Sequence, residues 1–192
     1  MLMTNKPNIE EAKKAVRTLL SWAGDNPERE GLKDTPKRVA EAFKEYFSGY
    51  NFDAKQILST TFEEIEGYDD IVLLKNMRFE SHCEHHIAPI IGIAHIAYIP
   101  NKKVVGISKL ARLLDVYAKR LQTQETMTSQ IANTIEETLK PQGVAVLIDA
   151  EHQCMTARGA HKPGTTTITS TFTGIFKTDK SLEEKFYNMI KF

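Results

Sequence analysis

Both cysteines of this 192-residue chain, and five of its six histidines, fall into two short segments far apart in sequence. One is His82-Cys83-Glu84-His85-His86; the other is His152-Gln153-Cys154, with His161 shortly after. Only His95 lies elsewhere. Thiolate and imidazole are the ligands zinc prefers, and the tight spacing of Cys83 and His86 lets two ligands from one turn reach a single ion. Cys154 is the natural third. If the three share an ion, the fold must bring the two segments together, a stronger constraint than any propensity.

A structural zinc takes four closed ligands, whereas Cys83, His86 and Cys154 make three and leave one position open. His85 and His152 remain beside them as proton carriers, which is the arrangement of a hydrolytic zinc site. Buried cysteines and surface histidines without metal are the plainer alternative, and the clustering weighs against it. Neighbouring residues cannot easily point both rings at one ion from a regular turn, so His86 is assigned to the metal and His85 to the substrate. His152 and Cys154, two apart on a segment expected to be extended, should project to one side.

A second cluster is basic. Ser108, Lys109 and Arg112 fall in the first turns of one expected helix, where free N–H groups and added cations favour an anion. A solvated helix face is the plainer reading of these three. Arg158, four residues past Cys154, adds a further charge. No Walker-type or dinucleotide-type glycine motif is present, so a nucleotide would be held by another method. Lys plus Arg (25) balances Asp plus Glu (25). That balance gives no reason to expect broad binding to nucleic acid or to an acidic membrane, and any anion site must be local.

Residues 1–10 are polar and carry no apolar h-region. The most apolar stretch, 87–99, is broken by Pro89, Gly92 and His95 and is too short to span a bilayer. A cytoplasmic protein is expected, in which cysteines serve as thiols or metal ligands rather than a disulfide.

Periodicity predicts a helix over residues 8–23 and a second capped by Thr35, with Pro36 in its first turn and Val39, Phe43 and Phe47 inward. Ile71, Leu73, Met77 and Phe79 alternate along a strand, and residues 87–99 form another. Ser108 is expected to cap a helix through Leu121, and a further helix runs from Gln124 to Leu139. Residues 144–149, apolar on both faces, should be a central strand; residues 165–176 form the next, and a short helix over 182–190 ends the chain. The order is that of an α+β fold. A helical layer on one sheet face leaves the other needing cover, which self-association would supply.

Five motifs resemble GTP cyclohydrolase I: Thr35-Pro36-Lys37-Arg38, Cys83-Glu84-His85-His86, the run from Gly106 to Arg112, Gln122-Thr123-Gln124-Glu125, and the run from His152 to Gly159. Each is moderately specific; all five in this order, across roughly residues 10–190, are very specific. The resemblance implies an N-terminal helical region (1–60) followed by a catalytic tunnelling-fold domain (61–192), an antiparallel sheet with helices on one face, within one structural domain. It implies Zn2+ on Cys83, His86 and Cys154, and GTP as substrate, with its triphosphate on Ser108, Lys109, Arg112 and Arg158, joined by Arg38. Glu125, supported by Gln124, would read the pyrimidine edge of guanine.

The reaction implied is hydrolytic opening of the imidazole ring, with His152 protonating N7 and His85 serving the proton transfers. Formate leaves, and rearrangement gives 7,8-dihydroneopterin triphosphate, the first step of pterin and tetrahydrofolate synthesis. The family also implies a homodecamer of two pentameric rings with sites between subunits. Thr126 and His161 depart from residues many members carry, but neither falls on a position assigned to chemistry. Two rivals are another tunnelling-fold purine or pterin enzyme and a non-catalytic purine-binding homologue. The Cys-His-Cys trio argues against the first, and the complete set of proton carriers against the second.

Overall fold

The computed structural model describes residues 6–62 and 67–191; the first five residues of the polar start lie outside them. Two compact units divide the chain, Met1–Ser48 and Gly49–Phe192.

In the first unit, α1 (Ile9–Trp22) packs on α2 (Thr35–Tyr46). Asn8 starts α1 through a reciprocal cap: its side chain accepts from the N–H groups of Glu10 and Glu11, while its own N–H donates to Glu11 Oε2 at 2.8 Å. The start of α2 differs from expectation. The N–H of Arg38 already donates to the carbonyl of Asp34, so Asp34 is the cap residue and Thr35 lies inside the first turn.

The second unit is built on a five-stranded sheet in the order β5-β2-β3-β6-β7. After α3 (Ala54–Ile57) and β1 (Thr61–Phe62) come β2 (Val72–Cys83), β3 (Pro89–Ile99), β4 (Val104–Val105) and α4 (Ile107–Ala118). There follow β5 (Leu121–Gln122), α5 (Gln124–Leu139), β6 (Gly143–His152), α6 (Gln153–Thr156), β7 (Thr166–Phe172), α7 (Ile175–Thr178) and α8 (Lys180–Lys191). Short β1 pairs with β4 in a separate ribbon; in the main sheet every pairing is antiparallel except β5 on β2. Gly106, not Ser108, caps α4, and Ser108 sits one residue inside the helix.

Helices α4 and α5 cover one face of the sheet. Leu110, Leu113, Leu114, Met127, Ile131 and Ile135 meet Phe79, Ile90, Ile96, Val146 and Ile148 in the main apolar core. Each such side chain contributes about 1.5–3 kcal/mol on burial. The terminal helices α7 and α8 pack on the opposite face at one end only, where Phe176 and Phe186 join Ile71, Ala97, Ile99, Ala145 and Leu147. Further along that face Ile91, Ile93 and Ile168 stay exposed. Strand β6 is buried on both faces, as a central strand should be.

One irregularity decides which way β2 faces. The β2–β3 register shifts between Leu74 and Met77, and Asn76 takes a left-handed φ of 57°. The extra residue is a β-bulge. It sends Leu73 to the α7–α8 side, while Met77, Phe79 and Cys83 turn to the α4–α5 side. Sequence alternation alone puts Ile71, Leu73, Met77 and Phe79 on one face; the bulge divides them two and two.

Candidate metal centre and its surroundings

The two cysteine- and histidine-rich segments meet because β3 lies between β2 and β6. Ile90 pairs with Ser81 on one side and with His152 on the other. Beyond Cys83 the chain closes a tight turn: the Cys83 N–H donates to the Ala88 carbonyl and the Ile87 N–H to the Cys83 carbonyl, each at 2.8 Å. Ile87 holds φ at 53°, a left-handed value that β-branched side chains rarely adopt. A third bond, from the Glu84 N–H to the Gln122 carbonyl at 3.0 Å, ties the turn to β5.

This geometry gathers one ligand atom from each of Cys83, His86 and Cys154 within 4.8 Å of one another. Cys83 Sγ lies 3.7 Å from His86 Nδ1. A tetrahedral ion with Zn–S near 2.3 Å and Zn–N near 2.05 Å sets its sulfur and nitrogen ligands about 3.5 Å apart, so the spacing suits such an ion. Cys83 is buried and Cys154 half-buried. Burial, and then the adjoining Cys83 thiol, push Cys154 above its ordinary value, while Arg158 is close enough to pull the other way. Two thiols crowded together in this way are favoured as ligands once a cation compensates them.

His85 projects outward: its side chain is exposed, with Nδ1 3.8 Å from Cys83 Sγ and Nε2 3.8 Å from Glu84. His152 is the last residue of β6, but Cys154 belongs to the helical turn α6. The expectation that both sit on one extended segment is therefore corrected; the chain coils immediately after His152, and strand alternation does not relate the two side chains. Burial holds the His152 imidazole below the ordinary histidine range, with Glu125 opposing.

His152 Nε2 meets Gln124 Oε1 at 2.8 Å. Gln124, at the start of α5, is 1% exposed, and its amide nitrogen reaches the carbonyls of Ile148 and Thr167 and the hydroxyl of Thr169. Glu125 is exposed in the same first turn. Thr126 completes the cap of that helix, its N–H donating to Thr123 Oγ1 at 3.2 Å.

Ser108 and Arg112 are exposed and Lys109 is half-buried at the start of α4. Neither Lys109 nor Arg112 forms an ion pair with a described residue. Arg158 is exposed in the loop after α6, and His161 follows at φ 50°. Arg38 belongs to the first unit, where it pairs with Asp34 at 3.5 Å. The sequence assigns no role to Ile87, leaves Gln122 only as part of a motif, and does not announce the buried state of Gln124. No local signal marks Ile87, since its conformation opposes its propensity; polar Gln122 and Gln124 flanking a helix start were the visible hint.

The family model described as GTP cyclohydrolase I matches residues 12–191. The GTP cyclohydrolase 1 of Maricaulis maris (strain MCS10) is 58% identical over 189 residues, covering 98% of this chain and 92% of the relative. That of Hyphomonas neptunium (strain ATCC 15444) is 61% identical over 184 residues, covering 96% and 89%. Among solved structures, an archaeosine synthase QueF-Like in the apo form matches 54% of this chain and 93% of its own at 20% identity, with a TM-score of 0.45.

Proposed function

The chain belongs to the GTP cyclohydrolase I family and has that enzyme's activity on GTP, and we propose that Cys83, His86 and Cys154 hold the zinc ion on which its ring opening depends. The observation that carries this reading is the convergence of those three donors within 4.8 Å beside a half-buried, hydrogen-bonded histidine. Zinc bound there supplies Lewis acidity and an activated water at neutral pH.

The side chains around it divide the remaining work. Ser108, Lys109 and Arg112 offer a hydroxyl, two cations without an ion-pair partner among the described residues, and the N-terminal end of a twelve-residue helix to the triphosphate, and Arg158 brings a further charge beside Cys154. Glu125 accepts hydrogen bonds from the pyrimidine edge of guanine, and its carboxylate favours a partner that only donates there.

Burial disfavours the charged form of the His152 imidazole. His152 takes up a proton and delivers it to N7 as C8 is attacked, while exposed His85 exchanges protons with solvent. C8 leaves as formate, and the opened ribose rearranges into 7,8-dihydroneopterin triphosphate, which feeds pterin and tetrahydrofolate synthesis. The exposed strip of Ile91, Ile93 and Ile168 supports assembly of copies through the open sheet face, in a decamer of two pentameric rings with sites between subunits. No helix among the described residues is long and apolar enough to cross a membrane, in keeping with a cytoplasmic enzyme.

Incubating zinc-loaded protein with GTP tests the whole reading. Stoichiometric formate and a pterin that becomes fluorescent on oxidation are expected. Formate without a pterin, or neither, would overturn it.

A further inference from the structure

We propose that Gln124 acts on His152 and not on the purine: it is a positioning residue that holds the imidazole with its proton on Nε2 and its lone pair on Nδ1. This rests on the reading of His152 as a proton carrier given above.

Counting protons settles the orientation of the Gln124 amide. The Thr128 hydroxyl donates to the backbone carbonyl of Gln124 at 2.7 Å, which consumes its single proton. In the 2.7 Å contact between the Thr128 and Thr169 hydroxyls, Thr169 must therefore be the donor. The Thr169 oxygen is then left only to accept, at 3.1 Å from the Gln124 amide. The other two neighbours of that amide atom are the backbone carbonyls of Ile148, at 3.1 Å, and Thr167, at 2.8 Å, which can do nothing but accept. Three acceptors surround one end of the amide, so that end is the NH2 group. Turning it over would press an amide oxygen against two backbone carbonyl oxygens.

The oxygen end consequently faces His152, and an amide oxygen only accepts. The 2.8 Å contact requires a proton on His152 Nε2. Among the described residues His152 Nδ1 has no hydrogen-bond partner, and it is the nitrogen through which the ring exchanges protons. A buried network of this kind specifies one tautomer because each alternative strands a polar group away from water.

Gln124 itself is out of reach of a ligand. It is 1% exposed, and both ends of its amide are engaged inside the protein. Its neighbour Gln122 does matching work on the other segment, its carbonyl accepting the Glu84 N–H at the start of the Cys83–His86 turn. The three residues 122–124 thus hold both halves of the candidate centre, one through a carbonyl and one through a side chain.

The first test needs no mutation of Gln124. In zinc-loaded protein labelled with 15N-histidine, the His152 signals, identified by their loss in His152→Ala, should show a protonated Nε2 and an unprotonated Nδ1. A proton on Nδ1 would overturn the proposal. The second test separates kcat from KM. Gln124→Leu should lower kcat on the scale of general acid–base catalysis, about 10²-fold, and leave KM for GTP within about threefold, a binding change below 1 kcal/mol.

Gln124→Glu, whose protonated carboxyl can still donate to Thr167 and accept from His152, should recover a large part of that loss. A tenfold rise in KM with kcat retained would instead make Gln124 a reader of the purine. If Gln124→Leu does not fold, the tautomer measurement still decides. Failure of the parent protein to release formate would strike the proposed function, whereas the 15N result speaks to Gln124 alone.

Discussion

The backbone N–H of Asn76 donates to Nδ1 of His95 at 3.4 Å across the β2–β3 pair, at the point where the two strands fall out of step. The bond belongs to the bulge that turns Cys83 toward the α4–α5 core, so the candidate metal group depends on an irregularity seven residues upstream. With φ at 57°, position 76 tolerates Asn or Gly and opposes a β-branched residue. Asn76→Val should lower stability by about 1–3 kcal/mol, whereas Asn76→Gly should be nearly neutral. Thermal melting of the two variants checks this, and equal losses would show that the backbone conformation is not what matters there.

Ile87 offers the converse case. It follows His86, a proposed metal ligand; it is 49% exposed, and its φ of 53° is strained for a β-branched residue. Ile87→Gly removes that strain and little buried surface. It should raise stability, or leave it unchanged, by up to about 1–2 kcal/mol. A drop in melting temperature of several degrees would mean that the Ile87 side chain packs against something essential, a neighbouring copy included.

Metal content distinguishes adjacent histidines. His86→Ala, Cys83→Ala and Cys154→Ala should each lose zinc and activity together, since the ligands supply the affinity. His85→Ala should keep zinc and lose roughly 10²–10⁴-fold in rate. Elemental analysis beside a formate assay reads both. Zinc lost from His85→Ala and kept in His86→Ala would exchange the two roles.

The proposed triphosphate contacts of Arg112 and Arg158 would be charge-assisted, and both side chains are exposed. Arg112→Ala or Arg158→Ala should weaken GTP binding by about 1.5–3 kcal/mol with metal retained. Titration of GTP into each variant measures this. Parental affinity in both would leave α4 with an ordinary solvated face.

His95 makes stability depend on pH. It is 5% exposed, and burial, with Lys75 adding to it and Asp149 opposing, pushes it below the ordinary histidine range. Below about pH 6.5 the unfolded chain takes up a proton that folded His95 resists, so the unfolded state binds more protons and stability falls as pH falls. Above that range this group contributes no slope. Melting temperature should therefore decline on going from pH 7 to pH 5.5, and less steeply in His95→Gln. Identical slopes in the two proteins would assign the decline to other groups.

What the sequence determined by itself is local in its physics. Helix α5 is legible from Gln124 to Leu139 because its apolar spacing and its flanking Thr123 and Pro141 act within a few residues. The buried run in β6 announces a central strand in the same way, and the identity of the donors, two thiols and an imidazole, follows from their chemistry and not from their position. The motif order carried the family and its activity as well.

Tertiary structure decided whatever depends on a partner far away in the chain. Alternation along β2 could not reveal that Leu73 and Phe79 face opposite ways, because the bulge exists only through register with β3. The turn after His152 read as strand, since nothing in residues 153–156 announces a single helical turn. The state of Gln124 is the clearest instance: its residue type suits a purine edge, and only Ile148, Thr167 and Thr169, brought in on two other strands, turn its amide inward. A hydrogen-bonding side chain takes its role from the acceptors that surround it, and those are assembled by the fold.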